Sequence, residues 1–273
     1  APSPPRPAVV DSPATLDLRG IIARRASGRV VAAVACLVLG TGLLGGAAAG
    51  AWLTGGEERA ARTAFDNARE LWRDMPVDEL FPTEIDGAGV GPGGADRRWI
   101  RVAVAPDGAC ADGLDPLLAE VLSGVGCHRL VRATYTDETQ TTVTTVGLLF
   151  AEADSAGMDT LARRFADEEL AGRTDLLPRT FAAPGTAADD FGDAQRASWS
   201  VRVLTELPVV VYAVSGFADG RAISDPEPAA EATADGQDST IALAGLGHDA
   251  AGIADRIEAG LREAAESRTQ EAR

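Results

Sequence analysis

The sequence predicts an N-terminal transmembrane helix followed by one α+β domain of the ferredoxin-like kind. In that fold a split βαββαβ order builds an antiparallel sheet with helices on one face. Three observations carry the prediction. Val30 to Leu53 reads VVAAVACLVLGTGLLGGAAAGAWL without a charge. From Arg98 onward, half-buried strand patterns alternate with short amphipathic helices. Two cysteines flank the first of those helices.

The apolar run is long enough to cross a hydrocarbon core of about 30 Å, which needs roughly 20 helical residues. Arg19, Arg24, Arg25 and Arg29 precede it, while Glu57 and Glu58 are the first charges after it. By the positive-inside tendency the N-terminus is cytoplasmic and the C-terminal domain lies outside the cell membrane, in a single-pass arrangement. The lipid bilayer is then a partner of residues 30–53. A cleaved signal peptide would use Ala47-Ala48-Ala49 or Ala49-Gly50-Ala51, but the run exceeds the usual signal core and a retained anchor is the better reading. Gly42, Gly46 and Gly50 recur every fourth residue. That spacing lets two membrane helices approach closely, so a homodimer or a membrane-complex partner is expected there.

Residues 1–29 open with APSPPRPA and read as a disordered cytoplasmic tail. Residues 54–97 read as a juxtamembrane helix and a glycine-rich linker. In the helix Ala61, Phe65, Ala68 and Trp72 repeat at helical spacing, and Pro76 ends it. Its apolar stripe can pack on the following domain or on a partner helix. Gly89 to Gly94 spells G-x-G-x-x-G, yet Pro92 interrupts it and a strand follows where a nucleotide site needs a helix.

The extracytoplasmic α+β domain is expected over 98–268, with 269–273 as a tail. RWIRVAVA (98–105) is the first strand; Asp115 and Pro116 cap a helix faced by Leu117, Leu118, Val121 and Leu122. RLVRATYT (129–136) and TTVTTVGLLFA (141–151) are strands two and three, β-branched and joined by an acidic turn. Asp154 or Ser155 starts a helix to about Leu170, carrying Leu161, Ala162 and Phe165 inward. Strands at 198–204 and 209–217 follow, then a short one at 240–244. A closing helix from His248 to Ser267 presents Ile253, Ile257 and Leu261. Two loops, 171–197 and the acidic Asp225–Asp238 stretch, are the expected places for a ligand or partner.

Composition narrows the chemistry. The chain has 25 basic residues, all arginine, against 41 acids, a net charge of −16. Without lysine there is no P-loop lysine, no Schiff base and no Ser–Lys dyad. The acidic balance argues against nucleic acid. Residues 1–54 hold five arginines and two acids, leaving 20 arginines and 39 acids for 55–273, a net of −19 outside. No G-x-S-x-G, S-x-x-K or H-E-x-x-H occurs, and the two histidines lack metal-ligand spacing, so no catalytic, cofactor or metal residues are assigned. Cys110 and Cys127 fall in an oxidising compartment and are expected to form a disulfide; a metal pair or reactive thiols are the alternatives.

Gly126-Cys127-His128-Arg129-Leu130-Val131-Arg132-Ala133-Thr134-Tyr135, continuing to Thr145-Val146-Gly147, resembles a pattern in uncharacterised single-pass membrane proteins of high-GC actinomycetes. The resemblance implies a bacterial cell-envelope setting and no activity. The expectation is therefore a non-enzymatic binding or interaction domain at the envelope. The alternative is a tethered hydrolase with a serine or carboxylate site assembled by geometry.

Overall fold

The computed structural model describes residues 31–41, 56, 58–106 and 108–271. The chain divides into two units, Ala1–Arg59 and Ala60–Arg273. In the first, 31–41 is helical, and Val31, Val34, Leu37, Val38 and Leu39 are all more than half exposed. Among the described residues no helix is long and apolar enough to cross a membrane. The rest of the expected 30–53 span, with Gly42, Gly46 and Gly50, lies outside the described residues.

In the second unit, α1 (60–68), α2 (Leu71–Asp74) and α3 (Val77–Leu80) precede β1 (Glu84–Gly87) and β2 (Arg97–Val104). Then come α4 (Pro116–Leu122), β3 (Arg129–Asp137), β4 (Thr142–Phe150), α5 (Ser155–Asp167), β5 (Ser198–Val203) and β6 (Val209–Phe217). The chain closes with β7 (Glu227–Pro228), α6 (Ala229–Ala232), α7 (Thr240–Ala244) and α8 (Leu246–Glu271). Seven strands form one sheet in the order β1-β2-β3-β4-β6-β5-β7, antiparallel except for the β5–β7 pair.

The mixed α+β class and the antiparallel sheet are as expected; the ferredoxin-like order is not. A split βαββαβ needs the strands flanking the first helix to run parallel. Here β2 and β3 are antiparallel neighbours. Between β2 and β3 the chain makes the seven-residue α4 and re-enters the sheet beside the end it left. One split crossover does exist, since β4 and β5 are separated by β6, which is antiparallel to both.

The helices do not share one face. On one side Tyr135, Val146, Leu148 and Val211 pack against Ala250, Ile253, Ala254 and Ile257 of α8. On the other, Leu149, Trp199, Val210 and Tyr212 pack against Leu118 and Leu122 of α4 and Met158, Leu161 and Phe165 of α5. The middle strands are covered on both sides, which is why β4 is buried along its whole length. A one-faced sheet would show alternation instead.

Three further segments differ from expectation. Residues 240–244 are helical because Ser239 accepts a bond from the Ala242 amide and Gly245 closes the turn at φ 79°. The glycine-rich stretch is folded: Gly87 ends β1 under the Trp99 ring, and Val90 packs on the core. Of the expected stripe Ala61, Phe65, Ala68 and Trp72, Phe65 and Ala68 are buried in this unit, Trp72 is half-buried and Ala61 is exposed, and Arg69 donates to the carbonyls of Ala151, Glu152 and Ala153.

Cys110 and Cys127 form the disulfide, with Cα atoms 6.4 Å apart. It pins the segment before α4 to the start of β3. Replacing both cysteines with serine is expected to lower stability by about 3 kcal/mol, from the entropy of a 17-residue loop. Thermal melts of the parent with and without reductant, beside the double variant, check this; equal midpoints in all three would refute it.

Candidate functional site

Two polar features stand out, one sealed and one open. The sealed feature lies where α8 begins. Asp249 is fully buried; Trp99 Nε1 donates to its Oδ1 at 2.9 Å and Thr142 Oγ1 to its Oδ2 at 2.9 Å. Arg97 Nε lies 3.4 Å from the same carboxylate, and Arg97 Nη2 donates to the Ala244 carbonyl. Gly245 must be glycine here, because a Cβ would overlap the Arg97 guanidinium and its φ is positive. Burial, only partly offset by Arg97 and the two donors, pushes the Asp249 carboxyl up to about 6.

Asp137 sits at the end of β3 beside this cluster. Burial alone would raise its carboxyl, but donors from Thr139, Thr142 and Thr141 hold it below the ordinary aspartate value. Each carboxylate oxygen of Asp249 takes a protein donor and the residue is sealed from solvent, so the cluster joins helix to sheet.

The expected ligand loops are folded covers. In 171–197, Leu176, Leu177, Ala183, Ala188 and Phe191 are buried. Thr134 Oγ1 donates to the Phe181 carbonyl, and the Phe181 amide donates to Thr145 Oγ1. Arg196 reaches Leu177, Pro178 and Asp115. The 225–238 stretch, expected as a loop, contains β7 and α6, with Ala229 and Ala232 buried. Neither loop gathers the convergent polar groups a ligand needs. His128 Nε2 lies 3.2 Å from Glu70 Oε1, far along the chain from His248 at the head of α8. Among the described residues no group of three or more His, Cys, Asp and Glu could hold a metal ion.

The open feature is a groove of about 530 Å³ lined by Asp159, Ala162, Arg163, Ala166 and Thr205. The first four are one face of α5, at positions i, i+3, i+4 and i+7; Thr205 begins the β5–β6 turn. Ala162, expected to point inward, is only half-buried and lines the groove. This site joins residues some 40 positions apart, and no local motif marks it in the sequence. Compared with protein families, with curated proteins and with solved structures, the chain has no match.

Proposed function

We propose that this protein is a single-pass, membrane-anchored binding domain of the bacterial cell envelope, non-enzymatic, with its N-terminus in the cytoplasm and its acidic α+β domain outside. One observation carries the reading. An uncharged apolar run stands between an arginine collar and two acids, and its described part is a helix whose large side chains are exposed to solvent when the chain is alone. Exposed apolar surface of that kind is stabilised by lipid. The Cys110–Cys127 disulfide suits an oxidising compartment. A sheet filled from both sides is a rigid scaffold that leaves its surface grooves and edges for recognition.

The test is topological. In cells expressing the full chain with a C-terminal epitope, the protein is expected to resist alkaline carbonate extraction. External protease should remove the epitope from intact spheroplasts. Release by carbonate would overturn the anchor, and a protected epitope would overturn the orientation.

A further inference from the structure

We propose that the outer edge of β5 and the groove beside α5 dock an extended segment of a partner polypeptide. The segment adds as a further strand along Val201–Val203 and sets a basic side chain against Asp159 and a carboxylate against Arg163. The proposal rests on the reading of the domain as a binding module and names the surface and the kind of partner.

The edge comes first. β7 pairs with Ser198 and Trp199 alone. The Leu204 amide donates to the Val209 carbonyl, which fixes the alternation: Ser200 and Arg202 turn their main chain to β6, and Val201 and Val203 turn theirs outward. Among the described residues those outward groups have no hydrogen-bond partner. Proteins usually block such an edge with a charge, a proline or a bulge. Here the one charge, Arg202, is turned to the opposite face and tied to Asp255 and Glu258. The edge is open.

The groove comes second, and independently. Val201 and Val203 share a core cluster with Met158, Leu161 and Phe165 of α5, so the helix flanks this strand. Asp159 and Arg163 stand at i,i+4 with the acid first, the favourable order for a pair. They do not pair. Arg163 donates instead to the Asp159 carbonyl and to Thr160 Oγ1. One residue on, Arg164 and Glu168 at the same spacing do pair, at 2.9 Å. An acid and an arginine that form no ion pair therefore face one groove beside an unpaired edge, the combination that strand addition uses: main-chain bonds for affinity and side-chain sites for choice. A second copy adding its own β5 would bring together two domains of net charge −19, whereas a net-basic segment is attracted.

The experiment uses the full chain in lipid nanodiscs and an array of random octapeptides. Bound peptides are expected to share one basic and one acidic residue and to slow deuterium exchange at the Val201 and Val203 amides. Val203→Pro, which removes an outward N–H and no ladder bond, should weaken them about tenfold. The paired reversal Asp159→Arg with Arg163→Asp, at exposed positions, should exchange the charge pattern of the peptides selected. Peptides indifferent to both changes, no bound peptide, or self-association through β5 would each overturn the proposal. A photo-cross-linker at Thr205, and separately at Leu243 and Glu120, separates the two readings in intact cells. A partner caught only at Leu243 or Glu120 overturns the groove and keeps the binding domain; none at any position overturns both.

Discussion

Asp249→Ala is expected to cost about 3–5 kcal/mol, the range for removing one partner from a buried ion pair. The substitution leaves Trp99 Nε1 and Thr142 Oγ1 without their acceptor and Arg97 without its counter-charge. Each lost acceptor is felt because the donors stay buried after the carboxylate has gone. The effect should also be local. Arg97 ties the end of α7 to β2 through the Ala244 carbonyl, so amides of α7 and the first turn of α8 should lose exchange protection before the rest. Chemical denaturation with amide exchange checks both parts; a loss under 1 kcal/mol would mean that the cluster does not hold helix to sheet.

The same residue sets a pH dependence whose sign is unusual for a carboxylate. Its unfolded value is the ordinary one near 3.8, and its folded value is about 6. Between those values the folded state holds a proton that the unfolded state has released. The stability due to the neutral carboxyl is therefore complete below about pH 4 and is lost as pH rises through 6. Asp249→Asn imitates the neutral form. The parent should lose stability relative to that variant from pH 4 to pH 7, even though most paired acids, such as Asp137, work in the opposite direction.

What could be read from the sequence was what local pattern controls. The β-branched run of β4 and the Asp115 and Asp154 caps each act within a few residues, and the structure places strands and helices there. The strand order was not written locally: the connection after β2 is long enough to cross over or to return, and only packing in the folded sheet sets β3 antiparallel beside β2. The four-residue β1 is held by pairing with β2 and by the Trp99 ring, contacts its own pattern does not announce. In 240–244 the apolar letters fit a strand, and the Ser239 and Gly245 caps decided for a helix. The acidic 225–238 stretch stays largely exposed, yet alanines at 229 and 232 are buried and anchor it. Nothing local marks Asp249; its partners Trp99 and Thr142 lie 150 and 107 residues away in sequence. The groove was hidden for the same reason, being made by α5 and the β5–β6 turn together.

Gly147→Val separates propensity from packing most sharply. Position 147 lies inside β4, buried, with Arg132 on one side and Tyr212 on the other in the sheet register. By strand preference alone valine should improve it, because glycine weakens a strand interior. The hydroxyl end of the Tyr212 ring, however, occupies the space beside the glycine, so that any Cβ would overlap it. That ring is almost fully buried and donates its hydroxyl hydrogen to the Gly113 carbonyl. Burial also raises the phenol well above its ordinary value, so it remains a neutral donor across the working pH range. Valine can be accommodated only by evicting the ring, a loss of about 3–5 kcal/mol, comparable to truncating a large buried aromatic. If the conflict is steric, shortening the evicting partner should relieve it. The double variant Gly147→Val with Tyr212→Val should be more stable than Gly147→Val alone, although each single change destabilises. A double-mutant cycle in denaturant measures this coupling. Simple additivity of the two losses would mean that the glycine is required by the backbone and not by the tyrosine beside it.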